Sequence, residues 1–291
     1  QLSGDFVDAH FRFYQRDLAG TGELKPRWKR AMGAVEGSLG EALGRVYVER
    51  YFPGDCKPQA LAVVESVRDA LKARLQEVDW MSEGTREAAL RKMSAFSVQI
   101  GYPDSWPDFS PLEGKIGPDH VENLLACHRF DFDRDMSRIN NPTDRGRWYM
   151  TPQTINAYYH PSLNLICFPA AILQPPFFSP SEDPAVNYGA MGAVVGHEMT
   201  HGFDDQGSKY DEKGNMVDWW AAEDKEDYER RVEVMVRQAE QHEVLGIKLK
   251  GRLTAGENLA DLGGLRLSLR ALKAKLASEG KAIHGPAAEL I

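Results

Sequence analysis

A run of small apolar residues, Ala190-Met191-Gly192-Ala193-Val194-Val195-Gly196, leads straight into His197-Glu198-Met199-Thr200-His201. A helix that is apolar nearly all round is a buried helix, so this segment must sit inside the fold. Two histidines and a carboxylate carried there need partners, because unpaired buried charge is costly. Residues four apart on a helix lie one turn apart on the same face. His197 and His201 can therefore reach one cation at the ~2.0–2.1 Å of a zinc–nitrogen bond. Glu198 lies on a neighbouring part of the surface, placed to take a proton from water at the metal. The competing reading, two core histidines bonded to the backbone, does not account for the glutamate between them.

A working zinc site takes three protein ligands and keeps a position open. Gly256-Glu257-Asn258-Leu259-Ala260-Asp261 offers the third. Glu257 and Asp261 share a helical face, so one can bind the metal while the other orients a histidine. The same text also fits a capping box, Thr254-Ala255-Gly256-Glu257, in which the glutamate only caps backbone amides. The residues alone leave both readings open. Asp204 and Asp205 follow His201 near the expected helix end, where acids oppose the helix dipole. A hydrogen bond accepted from a ligand histidine would explain such a placement, better for Asp204 than for Asp205, which a solvated helix end explains as well.

Periodicity fills in the rest. Leu61, Val64, Val67, Leu71, Leu75 and Val78 fall on one face of a helix opening near Pro58, and Ser82 caps a following helix that carries Ala89, Leu90 and Met93. Gly101 to Gly117, rich in proline and acids, reads as a connection between lobes. Trp148 to Tyr159 and Leu165 to Phe168 read as strands. Within the first of these, Thr154-Ile155-Asn156-Ala157-Tyr158-Tyr159 would form an edge able to pair with an extended peptide. Helices are expected over about 185–205, 223–243 and 257–278, giving an α+β, mainly α-helical fold with a small sheet.

Composition narrows the partners. The net charge of −8 over 291 residues is spread along the chain, which argues against nucleic acid, since that needs a basic face. The longest apolar run, Leu165 to Leu173, falls far short of the ~20 residues of a membrane helix, so no transmembrane segment is expected. Three cysteines, Cys56, Cys127 and Cys167, show no paired spacing and support neither a disulfide framework nor a cysteine metal site.

Taken together, these segments resemble the neprilysin-like family of zinc metalloendopeptidases, bacterial oligopeptidases among them. The matching text is Asn156-Ala157-Tyr158-Tyr159, Phe168-Pro169-Ala170-Ala171-Ile172-Leu173-Gln174-Pro175-Pro176-Phe177-Phe178, and Gly196-His197-Glu198-Met199-Thr200-His201-Gly202-Phe203-Asp204-Asp205. It continues in Val217-Asp218-Trp219-Trp220 and Gly256-Glu257-Asn258-Leu259-Ala260-Asp261, with Arg45-Val46-Tyr47-Val48 and Ile100-Gly101-Tyr102-Pro103-Asp104 earlier in the chain.

The resemblance implies a zincin catalytic lobe of the gluzincin, thermolysin-like kind over residues 121–291, and part of a helical cap lobe over 1–120. It implies one Zn2+ per chain held by His197, His201 and Glu257, with Glu198 as catalytic base. Asp261, counted with Glu198 among the catalytic groups, and Asp204 would hold the ligand histidines. Asn156 and the Ala157 backbone would grip the substrate. Phe177, Val194 and Ile172 would line the pocket for a bulky apolar residue after the scissile bond. The expected activity is hydrolysis of short peptides before such residues, in the cell envelope, the periplasm or outside the cell in preference to the cytoplasm. Family members are much longer, so the chain is expected to lack segments at both ends, among them a histidine that stabilises the oxyanion and an arginine that binds substrate. His284 stands too close to Glu257 to replace that histidine. The missing remainder of the same protein is then a partner, and the alternative function is a metal-binding fragment of weak or no activity, or a structural zinc protein.

Overall fold

Side chains that cannot be left in water decide how this chain is laid out, and the computed structural model describes it over residues 3–52 and 54–281. His284 lies outside the described residues. Two compact units partition the chain: one is formed by residues 1–50 and 104–147, the other by 51–103 and 148–291. This differs from a single division at residue 120. The metal-bearing unit takes up residues 51–103 because the helices and strand in that stretch pack with elements far downstream.

The first unit is helical. It holds α1 (Gly4–His10), which runs on into a π-helical stretch Phe11–Asp17, then most of α2 (Arg27–Tyr51). Later it adds α5 (His120–Met136), whose N-terminus is capped by the Asp119 carboxylate accepting from Val121 and Glu122 amides. Arg134 of α5 pairs with Glu41 of α2 at 2.5 Å.

The second unit is built around α3 (Cys56–Glu77), α4 (Glu83–Ser94) and a three-stranded sheet. In α3 the inward face is Ala60, Val63, Val64, Val67, Ala70, Leu71 and Leu75. Leu61, expected on that face, is 37 % exposed; the neighbouring Ala60 and Val63 take the inward positions. Ser82 does cap α4, accepting from Thr85, and its hydroxyl also donates to Asp224 at 2.5 Å. The sheet runs in the order β1 (Ser97–Gly101), β3 (Leu165–Pro169), β2 (Tyr158–His160). β3 is buried along its whole length, as its apolar text requires, with β1 parallel on one side and β2 antiparallel on the other. The strand expected over 148–159 is confined to β2. The segment before it turns instead, with the Thr154 amide donating to the Thr151 carbonyl.

Beyond the sheet, α6 (Pro184–Asn187) passes through a π-helical turn, Tyr188–Gly192, into α7 (Ala193–His201). α7 stops at His201, so Asp204 and Asp205 belong to the turn after it. α8 (Ala222–Ala239) follows, and Glu243 enters a hairpin of β4 (Glu243–Val244) and β5 (Ile247–Lys248). The last helix, α9 (Gly251–Ser278), starts six residues earlier than expected. Among the described residues no helix is long and apolar enough to cross a membrane.

α7 and α9 meet through glycines. A Cβ on Gly196 would lie 2.8 Å from the Gly264 backbone, and one on Gly264 would lie 2.5 Å from the Ala193 carbonyl and 2.8 Å from the His197 amide. Gly263 faces Thr200 and Gly192 faces Ser268 with equally little room. Two helix backbones this close leave no space for a methyl group. Gly264→Ala is therefore expected to cost about 1–3 kcal/mol of stability through overpacking, read by urea unfolding of the chelator-treated chain. An unchanged midpoint would mean that the helices can part without penalty.

Candidate metal centre

The helix carrying His197 and His201 is held in the core by Val195 and Met199, both fully buried. That leaves its polar face to meet α9 and β2. The two imidazoles approach edge to face, with 4.5 Å between ring centroids and 2.9 Å between their Nε2 atoms. Glu257 reaches the same point from α9. Its Oε2 lies 3.3 Å from His197 Nε2 and 3.6 Å from His201 Nε2. The capping-box reading of Glu257 falls, because Thr254 stands inside α9, beyond its first residue Gly251.

A carboxylate stands behind each ring, and an acceptor there favours the tautomer that carries its proton on Nδ1. His197 Nδ1 lies 2.9 Å from Asp261 Oδ1, and His201 Nδ1 lies 2.6 Å from Asp204 Oδ2. A ring whose Nδ1–H donates to a carboxylate turns an unprotonated Nε2 the other way. Two such nitrogens at 2.9 Å repel each other unless a proton or a cation lies between them. The residues present therefore fit a metal ion. Three donors of the nitrogen and carboxylate kind converge, and a tetrahedral ion with ~2.0–2.2 Å bonds separates its ligands by about 3.3–3.6 Å. Two of the pairwise separations here, 3.3 and 3.6 Å, fall in that range, and the third, 2.9 Å between the imidazole nitrogens, is shorter.

Asp204 is 5 % exposed, and its other oxygen accepts from the Gln206 and Gly207 amides at 2.8 and 2.7 Å. Asp205 takes no part in this. It accepts from the Gln206 side chain and touches neither histidine. Glu198 faces inward from α7 and is 6 % exposed. Burial, opposed by nearby His201, pushes its carboxyl up to about 7; Glu257 adds to the rise, and a hydrogen bond from the Tyr159 backbone amide works against it. His201 is raised: burial of its ring works against this, but the bond to Asp204 and the negative charges of Asp204, Glu198 and Glu257 together outweigh it.

These groups open onto a cleft of about 510 Å³, whose lining also includes Asn156, Ala157, Tyr159, Pro161 and Gln206. Asn156 is exposed and turns its Oδ1 to the Ala157 amide at 2.9 Å. Ala157 is buried just ahead of the edge strand β2. The structure does not bring Ile172, Phe177 and Val194 into this cleft. Ile172 turns into the core after β3 and is 5 % exposed. Phe177 is half-buried ahead of α6, its carbonyl accepting from Met191. Val194 is half-buried on α7, one turn before Glu198.

Sequence reasoning passed over Lys92, which lies behind the centre and donates to the Gly207 and Tyr210 carbonyls. Its signal was a charge in the apolar stripe of α4 between Ala89 and Met93. It also passed over the Tyr159 amide, which no side-chain pattern marks.

The description peptidase family M13 matches residues 1–103 and 156–289. Neprilysin-3 of Drosophila melanogaster is 37% identical over 276 residues, covering 93% of this chain and 35% of that protein. Endothelin-converting enzyme 1 of Homo sapiens is 38% identical over 276 residues, covering 93% of this chain and 36% of that protein. The zinc metalloprotease Zmp1 of Mycobacterium tuberculosis, crystallised with an inhibitor, superposes with a TM-score of 0.86 at 41% identity, covering 95% of this chain and 42% of that one. The chain thus spans about a third of the length of the curated relatives it matches.

A carboxyl whose folded value is raised from 4.5 to about 7 keeps its proton in the fold while the unfolded chain releases it. Its stabilising share is complete below the unfolded value and is lost as pH rises through about 7. In chelator-treated protein, Glu198→Gln should therefore gain stability over the unaltered chain between about pH 4.5 and 7, by about 1–3 kcal/mol at the plateau. Denaturant titrations across that range read it directly, and a difference independent of pH would refute the raised carboxyl.

Proposed function

The chain belongs to peptidase family M13, and from that premise we propose that it carries the metal centre of a zinc endopeptidase that cleaves short peptides before bulky hydrophobic residues. One observation carries the reading: the Nε2 atoms of His197 and His201 and the Glu257 carboxylate converge within 4.8 Å of one another, with each ring backed by its own carboxylate. In this reading one zinc ion per chain is held by those three residues. Bound there, zinc supplies a Lewis acid that polarises the scissile carbonyl and makes water acidic enough to attack near neutral pH.

The remaining work falls to the chain's own groups. Glu198 accepts the proton of the attacking water and returns it to the leaving amine. Its burial and raised proton affinity suit a base that must take up a proton and give it back near neutral pH. Asp261 and Asp204 keep His197 and His201 in the tautomer that leaves Nε2 free. The Asn156 side chain and the Ala157 backbone, which line the same cleft as Glu198, hold the peptide extended beside β2.

The test is hydrolysis of a quenched fluorescent peptide with a central Phe or Leu, with zinc content measured in the same sample. Glu198→Gln should retain zinc and lose turnover by at least about 10²-fold, the lower end of what a general base contributes. Normal turnover in that variant would refute the role of Glu198. Zinc binding by the unaltered chain without any cleavage would favour a metal-binding fragment of weak or no activity.

A further inference from the structure

Behind α7 lies a charge that the proposed reaction does not use. Lys92 is 1 % exposed and heads the fully buried side chains by volume among the described residues. Its ammonium donates to the Gly207 carbonyl at 2.6 Å and to the Tyr210 carbonyl at 2.7 Å. The rings of Tyr159, Phe203 and Trp219 surround it, with centroids 5.9, 5.6 and 5.9 Å away. Burial, against the attraction of Asp204 and Asp211, pulls its pKa down to about 8. An apolar side chain of similar length would fill this space with no charge to desolvate. What the ammonium provides that a methyl group would not is a grip on the turn leading out of α7.

That turn leads straight to the metal centre. The Gly207 carbonyl accepts from Lys92, and the N–H of the same residue donates to Asp204 Oδ1 at 2.7 Å. Gly207 also presses against the His201 carbonyl with no room for a Cβ. Asp204 in turn accepts from His201 Nδ1 through its second oxygen, at 2.6 Å. From the far side, the indole N–H groups of Trp219 and Trp220 donate to the Tyr210 and Ser208 carbonyls of the same turn. The backbone of Lys92 is itself fixed, its carbonyl accepting from the wholly buried Asn164 at 3.0 Å.

We propose that Lys92 is a positioning residue of the metal centre: through the Gly207 and Tyr210 carbonyls it fixes the turn whose amides hold Asp204, and so fixes the direction in which His201 offers Nε2. The inference rests on the reading of His201 as a zinc ligand. Lys92 touches neither the metal nor the peptide. It acts through one residue, Gly207, and one carboxylate, and its loss should loosen the histidine without removing any donor from the site.

The test measures zinc affinity by competition with a chromophoric chelator in the unaltered chain, Lys92→Met, Lys92→Gln, Asp204→Ala and the Lys92→Met/Asp204→Ala double variant. Melting of the metal-free proteins and the cobalt(II) absorption spectra of the loaded ones accompany it. Lys92→Met should bind zinc about 10–100-fold more weakly, the usual consequence of losing a partner behind a ligand, and should change the cobalt spectrum. Lys92→Gln, which keeps one donor, should fall between. The double variant should bind no more weakly than Asp204→Ala alone, since both changes act on one path. Unaltered zinc affinity and spectrum in folded Lys92 variants would overturn the inference, as would additive losses. Failure of both Lys92 variants to fold would also overturn it, making Lys92 a residue of the core alone. Failure of the unaltered chain to bind zinc is seen without any Lys92 variant and would strike the reading of the site itself.

Discussion

Two helix backbones in contact set the terms for everything around the metal centre. Gly196 and Gly264 let α7 and α9 approach until a methyl group would not fit between them. Glu257, Asp261, Gly264 and Ser268 are spaced four, three and four apart, so one stripe of α9 carries both the contact and the acids. Seating that stripe on α7 brings Glu257 to both Nε2 atoms and Asp261 to the back of His197. The polar geometry thus follows from an apolar fact, the absence of side chains at the contact. Gly256 extends the same logic, because a Cβ there would meet the carboxylates of Asp205 and Asp204.

The closeness has an electrostatic consequence. Glu198, Glu257, Asp204 and Asp261 all stand around two imidazoles, and two of these four acids are nearly buried. So dense a set of acids is costly without a cation, and binding one relieves it. The raised proton affinity of His201 expresses the same excess of negative charge, whereas that of Glu198 comes first from burial, with Glu257 adding to it. A proton and a metal ion compete for this place, and the carboxylates behind the rings tilt the competition by committing each Nδ1 proton.

Much of this could be read in the sequence, for definite physical reasons. The small apolar run before His197 announced a buried helix, and the four-residue spacing announced a shared face. The choice between ligand and cap at Glu257 could not be read, because it depends on where α9 begins. A start at Gly251, six residues ahead of Glu257, is decided by how the helix packs, not by Thr254. The compact units do not follow a single division at residue 120, because β1 pairs with β3 across more than sixty residues, and local composition does not register such pairing. The expected strand from Thr154 shortened to Tyr158–His160 because the preceding residues bond within themselves, Asn156 taking the Ala157 amide and Thr151 the Thr154 amide. Ile172, Phe177 and Val194 were grouped by resemblance, and the described cleft does not gather them.

The central claim is that the glycine contact delivers a third, carboxylate ligand to the two histidines of α7. X-ray absorption spectroscopy of the zinc-loaded chain tests it most directly, with Glu257→Ala as reference. The account predicts two imidazole nitrogens at about 2.0–2.1 Å and a carboxylate oxygen that disappears in the variant. A first shell of two imidazoles completed by water alone, the same in both proteins, would contradict it.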